Sequence, residues 1–250
     1  VLLGIPAAYG QAPETGKTLD ILFSHDTHSH LNTFTTVVED EEAEIGGFAR
    51  ANTLIKAQRA KDPDTLVIDG GDFSMGTLIQ TVFETQAAEL RMLGYMGYDV
   101  TTFGNHEFDY GMARAKAIIK EADFPYVSCN WVDLRTGLRV LPAVKLFPAG
   151  GKWIAFVGIT TPESFTKSTP AYFMNAKQTK YIYDILGGDD GRKLYDAVQK
   201  AIDKAKALGA DIIIGLGHLG VDPSSSPWTS EEVIAHTTGF NAFIDGHSHT

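Results

Sequence analysis

The sequence is poor in cysteine, in basic charge and in long apolar runs, and each shortage closes off a class of function. Cys129 is the only cysteine among 250 residues, so neither a disulfide framework nor a cysteine-rich zinc site can form. It follows Tyr126, Val127 and Ser128 in a strand-like stretch, where an inert buried thiol is expected. Lys and Arg number 21 against 31 Asp and Glu, a formal net charge of −10. That leaves no basic footprint for a nucleic-acid polymer or an anionic membrane surface. An anionic small molecule could still bind if metal ions supplied the local positive charge. No apolar stretch reaches the ~20 residues that cross a bilayer, so no membrane span is expected. The chain also lacks an initial Met: it opens VLLGIPAAYGQA, a short apolar run leading into small residues. This resembles the tail of a secretory signal peptide whose charged start is missing. Residues 1–17 are therefore read as a signal-peptide remnant or an N-terminal arm, and the protein as exported, to the periplasm, the extracellular space or the cell surface.

What the sequence does hold is the material of a globular α/β domain. A hydrophobic share of 44% is ordinary for a packed core. Strand-length apolar runs recur in LDILFSH, TLVID, DVTTFG, WIAFVGIT, DIIIGLGH and NAFIDGH, with helical patterns between them. This alternation predicts an α/β fold with a largely parallel core. The clearest helix runs through KLYDAVQKAIDKAKALGAD, with Leu194, Val198, Ala201, Ala205 and Leu208 on one stripe and Gly209 at the C-terminal cap. Another starts at Thr229, where Glu232 completes a capping box. From Tyr126 to Ile159, short strands around DLRTG and PAGGK predict an antiparallel insertion. No internal repeat or low-complexity segment stands out.

The polar residues collect where these strands end. ILFSHDTH ends in Asp26 and His28, LVIDGGD in Asp69 and Asp72, and VTTFGNHEFD in Asn105, His106 and Asp109. IIIGLGH ends in His218, and FIDGHSH in His247 and His249. WIAFVGITTPES is the contrast, ending in Thr and Pro. Ligands of open α/β sheets bind outside the carboxyl ends of strands. Taken singly, each group has an ordinary explanation: a surface histidine, an aspartate in a turn, or an Asn in left-handed backbone. Metal-ligand side chains at five strand ends together read as a metal cluster.

The order D-x-H, G-D, G-N-H-E, G-H and G-H-x-H resembles the calcineurin-like metallophosphoesterases. The phrases GGFAR, GNHEFDYG, GITTPES and DGHSHT resemble its 5′-nucleotidase and UDP-sugar hydrolase branch, over Leu19 to Thr250. The resemblance implies a four-layer α/β/β/α sandwich, here a catalytic domain over 18–250, with metals at the strand ends. It also implies that the sandwich continues beyond Thr250 and is followed by a C-terminal substrate-binding domain, so that this chain is truncated.

Carried over by position, the resemblance implies that Asp26, His28, Asp72 and His249 hold one divalent metal and that Asp72, Asn105, His218 and His247 hold a second. A carboxylate has two oxygens and can bridge ions roughly 3.5–4 Å apart. Nitrogen and oxygen donors suit Zn, Mn, Fe or Co. In extended backbone Asp26 and His28 would share a face, with His25 pointing away as a structural residue and His30 serving as support or simple polarity. Asp69 is left out of the ligand set, Glu107 is read as structural, and Arg50 as a helix-surface or packing residue. His106 would stabilise transition-state charge or protonate the leaving group, oriented by Asp109, and Asn105 and His106 would contact substrate. The implied activity is hydrolysis of phosphate esters by in-line attack of metal-bound hydroxide. The substrates implied are 5′-nucleotides or related UDP-sugars and cyclic nucleotides. The alternatives are thiosulfohydrolase-type sulfur chemistry on the same metal site, or a non-catalytic exported metal-binding module.

Overall fold

A computed structural model describes residues 18–249; the N-terminal stretch read as a signal remnant or arm, residues 1–17, lies outside the described residues. The first half runs through β1 (Ile21–Ser24), β2 (Thr33–Val38), β3 (Glu41–Gly46), α1 (Phe48–Lys61), β4 (Leu66–Asp69), α2 (Phe83–Gln86), α3 (Ala88–Met96), β5 (Val100–Thr101) and α4 (Gly111–Glu121). The second half holds β6 (Trp131–Asp133), β7 (Leu138–Arg139), β8 (Val144–Ala149), β9 (Lys152–Thr160), α5 (Ser164–Lys167), β10 (Tyr183–Ile185), α6 (Arg192–Ala207), β11 (Ile212–His218), α7 (Ser230–His236) and β12 (Ala242–Ile244).

Two sheets carry the core. One is parallel, in the order β1-β4-β5; the other runs β12-β11-β9-β8, parallel except for the β8–β9 pair. Because strand side chains alternate between faces, each sheet buries both of its faces. Leu66, Ile68 and Val100 meet Ile154, Phe156, Ile214 and Leu216 between the sheets. On the outer face of the first sheet Val67 packs with Ile55 of α1, Leu90 and Leu93 of α3 and Ile118 of α4. On the outer face of the second, Ala155, Val157, Ile159 and Ile213 meet Leu194, Val198, Ala201, Ile202 and Ala205 of α6 and Val233 of α7. The result is the four-layer α/β/β/α sandwich that the resemblance implied. No helix among the described residues is long and apolar enough to cross a membrane.

Several local expectations change. The expected antiparallel insertion is not an insertion: β9 pairs in parallel with β11 from Ile212↔Ile154 to His218↔Thr160 and so lies inside the second core sheet. Gly150 and Gly151, at φ 58° and 76°, turn β8 back onto β9; that local hairpin signal carries no information about the other edge of β9. β6 and β7 form a separate small antiparallel sheet with β10. Leu208 leaves the stripe of α6 and is 55% exposed, because it is the cap residue and Gly209, at φ 85°, turns the chain away. At α7, Thr229 Oγ1 accepts from Glu232 N at 3.3 Å as a cap should. The Glu232 carboxylate turns instead to Thr229 Oγ1 and Ser226 Oγ. The β2–β3 hairpin had no sequence expectation; Arg50 of α1 ties to it through Glu44 Oε2 at 2.6 Å.

Candidate metal centre

The parallel strands of both sheets deliver their carboxyl ends to one place, and loops continue the pairing past the strands. Asp26 N donates to Gly71 O at 3.0 Å, His28 N to Asp72 O at 3.1 Å and Ser29 N to Phe73 O at 2.8 Å. The loop after β1 therefore rides on the loop after β4. Asp26 and His28 have φ 47° and 45°, so the extended alternation expected for them is not what aligns their side chains; left-handed backbone does. Asp72, His247 and His249 share that region at φ 54°, 82° and 56°. Non-glycine residues there cost on the order of 1–3 kcal/mol each.

Two clusters result, Asp26 with His28 and His249, and Asp72 with His218 and His247, each with donor atoms within 4.8 Å of one another. In the first, His28 Nε2 and His249 Nε2 are 3.0 Å apart, and Asp26 Oδ1 lies 3.7 Å and 3.3 Å from them. In the second, His218 Nε2 is 3.0 Å from Asp72 Oδ2. Asp26 Oδ1 is also 3.9 Å from His218 Nε2, which joins the clusters. Among the buried polar side-chain atoms without a hydrogen-bond partner are Asp26 Oδ1, Asn105 Oδ1 and His218 Nε2. Buried polar atoms are rarely left bare, and one oxygen or nitrogen lone pair from each suits a divalent cation. Asn105 sits beside Asp72 in the chain path, since His106 N donates to Asp72 Oδ1 at 2.8 Å.

The charges fit the same use. Burial disfavours the ions of both Asp72 and His218, but their mutual attraction prevails, holding Asp72 well below the usual carboxylate range and His218 up at about 10. A cation at this point would take the place of the His218 proton. Burial holds the imidazoles of His28 and His247 below their ordinary value, favouring the neutral form that carries a ligand lone pair. His25, expected to be structural, supports the site directly: its Nδ1 lies 2.7 Å from Asp26 Oδ2, which also accepts from His247 N at 2.8 Å. These two bonds fix Asp26 and leave Oδ1 facing the imidazoles of His28, His218 and His249.

His106 and Asp109 form a pair at Nδ1–Oδ2 2.6 Å, with the His106 ring 5.3 Å from that of His28. Burial opposes its charge, but the Asp109 hydrogen bond and the Asp72 carboxylate outweigh burial and hold His106 up at about 9. Glu107 is fully buried and accepts from Asp72 N at 2.9 Å and Gly104 N at 2.8 Å, clamping the two loops. Asp69 stays out of the clusters, bound by Ser24 Oγ, Thr101 Oγ1 and Gly71 N. His30 is exposed and bonds only locally, to Thr27 O. The residue that sequence reasoning missed is Glu163, whose Oε2 lies 3.0 Å from His247 Nε2. It follows the one strand end taken as the contrast; its signal was the acid in GITTPES.

A double-sheet sandwich with two candidate cation-binding clusters at its joined strand ends fits the layout of the calcineurin-like phosphoesterases. The chain belongs to that family, whose family model, described as calcineurin-like phosphoesterase, matches residues 20–250. Human 5′-nucleotidase is 31% identical over 246 residues, covering 93% of this chain and 38% of that protein. The trifunctional nucleotide phosphoesterase protein YfkN of Bacillus subtilis is 28% identical over 254 residues, covering 92% of this chain and 16% of its own length. Among solved structures, a 5′-nucleotidase precursor from Thermus thermophilus matches with a TM-score of 0.76 at 26% identity, covering 93% of this chain and 42% of that one. The chain thus spans less than half the length of each of these relatives.

Proposed function

We propose that this chain carries the hydrolytic centre of an exported enzyme acting on phosphate esters of nucleotides, whether 5′-nucleotides, UDP-sugars or cyclic nucleotides. The observation that carries this reading is the pair of clusters, Asp26 with His28 and His249 and Asp72 with His218 and His247, together with the buried Asp26 Oδ1 and Asn105 Oδ1, which have no hydrogen-bond partner. Asp26, His28, Asp72 and His249 would hold one divalent cation, and Asp72, Asn105, His218 and His247 the other, from among Zn, Mn, Fe and Co. Bound there, the cations would supply positive charge for the phosphoryl oxygens and acidify a water near neutral pH.

The chain's own residues do the rest. Asp109 occupies His106 Nδ1, which leaves Nε2 to donate to a phosphoryl or leaving-group oxygen. Asn105, next in the chain, would fix the substrate from the same loop. Glu107 keeps the Asp72 and Asn105 loops in register through its two backbone bonds. Nucleoside recognition would come from a C-terminal domain outside this chain.

Hydrolysis of a phosphoester panel tests the reading. The panel would hold an aryl phosphate, a diester, 5′-AMP, a UDP-sugar and an S-sulfonated thiol, after EDTA treatment and after Mn or Zn add-back. Turnover restored by metal on any phosphate ester is the expected result. Turnover confined to the S-sulfonated thiol would move the chemistry to sulfur, and bound metal with no turnover on any substrate would favour a binding module.

A further inference from the structure

β9 leaves its sheet at Thr160, and the chain folds back on itself at once: Glu163 N donates to Thr161 Oγ1 at 3.1 Å, and Ser164 N to Thr161 O at 3.1 Å. This turn aims Glu163 sideways, across the neighbouring strand ends. In the sheet order β12-β11-β9, Glu163 follows β9, Ser225 follows β11 and His247 follows β12. Glu163 Oε2 ties the three together, accepting from Ser225 Oγ at 2.7 Å and from His247 Nε2 at 3.0 Å. Both side chains of the His247–Glu163 pair are nearly buried, 11% and 12% exposed, where a charge-assisted hydrogen bond is worth more than in water.

The contrast with the neighbouring histidines gives this pair its meaning. His218 Nδ1 lies 2.7 Å from Gly70 O, and His28 Nδ1 lies 2.7 Å from Met75 O. Each of those rings meets a backbone carbonyl through Nδ1 and turns Nε2 into its cluster, His28 toward His249 and His218 toward Asp72. In His247 the nitrogens are exchanged: Nε2 is the atom that meets the Glu163 carboxylate, and a carboxylate oxygen accepting there would place the proton on Nε2 and the lone pair on Nδ1. The partner is also a side-chain carboxylate rather than a backbone carbonyl, the kind of outer partner that raises the basicity of a ligating imidazole.

We propose that Glu163 is the positioning residue of His247, fixing its tautomer and ring orientation so that Nδ1 is the atom offered to a cation shared with Asp72 and His218. This rests on the two-cation reading given above. Loss of such an outer partner typically weakens metal binding ~10–100-fold, and the loss should fall on one of the two ions.

Titration of chelator-stripped protein with Mn(II), with free ion counted by electron paramagnetic resonance, tests it. Wild-type protein that binds fewer than two ions would remove the two-cation reading itself, separately from the role of Glu163. Given two wild-type binding events, Glu163→Ala should weaken one of them ~10–100-fold and leave the other in place. Glu163→Gln retains an oxygen that can accept from Nε2 but not the charge, and should fall at the low end of that range, a partial rescue. Thermal unfolding of the stripped variants should remain a single cooperative transition, which separates a loss of affinity from a loss of fold. Unchanged affinities at both events in Glu163→Ala, or equal weakening of both, would overturn the proposal. Should the alanine variant fail to fold, Glu163→Gln decides by the same criterion, with wild-type affinities counting against it.

Discussion

Asp72 is pulled from two directions: its Oδ2 lies 3.0 Å from His218 Nε2, and its Oδ1 accepts from His106 N at 2.8 Å. Replacing it by Asn keeps the volume but removes the charge that both proposed ions share. Asp72→Asn and His247→Ala should each lower turnover by more than the ~10–100-fold typical of an outer partner, with circular dichroism unchanged; full turnover in either would cancel the ligand assignment. Asp69 makes a different prediction, because burial raises its carboxyl from the ordinary 3.8 to about 6 despite bonds from Ser24, Gly71 and Thr101. Between those values the folded chain holds a proton that the unfolded chain has released. Its contribution is therefore complete at low pH and is lost as pH rises through about 6, by on the order of 3 kcal/mol. Measured in chelator, wild-type stability should fall relative to Asp69→Asn between about pH 4 and pH 7. Parallel pH profiles for the two proteins would mean that Asp69 titrates normally.

At the scale of elements, α6 separates packing from mere periodicity. Leu194 is fully buried against the second sheet and Leu208 is 55% exposed, although the sequence puts both on one stripe. Leu194→Ala should cost ~2–5 kcal/mol in denaturant unfolding, and Leu208→Ala no more than ~0.5 kcal/mol; similar losses would contradict the packing. Leu208 shows why sequence periodicity overreaches at a helix end, since it cannot tell the last turn from the cap. The place of β9 inside the second sheet was hidden for a related reason. The β8–β9 turn is a local signal, whereas the pairing of β9 with β11 joins Ile154 to Ile212, a distance along the chain that no short pattern spans. The candidate ligands were legible as a group because strand ends are easy to find and seven His, Asp and Asn residues fall on them. Their alignment was not, since Asp26 and His28 depend on left-handed backbone rather than on the strand period. Glu163 escaped notice because its chain turns back after β9 and only the fold brings it to His247.

Across the whole molecule, each candidate cluster draws on both sheets. Asp26 and His28 follow β1 while His249 follows β12; Asp72 follows β4 while His218 ends β11 and His247 follows β12. Between the sheets at this edge lie polar contacts such as His218 Nδ1 to Gly70 O and His247 N to Asp26 Oδ2, with the apolar interlayer behind them. A bound ion would therefore fasten one sheet to the other. Ions present at 100 times their dissociation constant should add ~2.7 kcal/mol per site, equivalent to a rise of ~5–10 °C in melting temperature for a domain of this size. Differential scanning calorimetry with EDTA and with excess Mn would show it, and an unchanged melting temperature would argue against cations bridging the sheets.

The left-handed backbone at Asp26, His28, Asp72, His247 and His249 also bears on how such a chain can change over generations. Glycine occupies that region without steric cost, and asparagine tolerates it. At these positions selection for stability and selection for the proposed hydrolysis would pull in opposite directions, and His249, the most exposed of the three histidines, would show the conflict most openly. His249→Gly should melt no lower than wild type in chelator while losing the metal-dependent gain. In a lineage released from the proposed catalysis, these candidate ligand histidines would be the positions where drift accepts substitutions first, and the sandwich would outlast its chemistry.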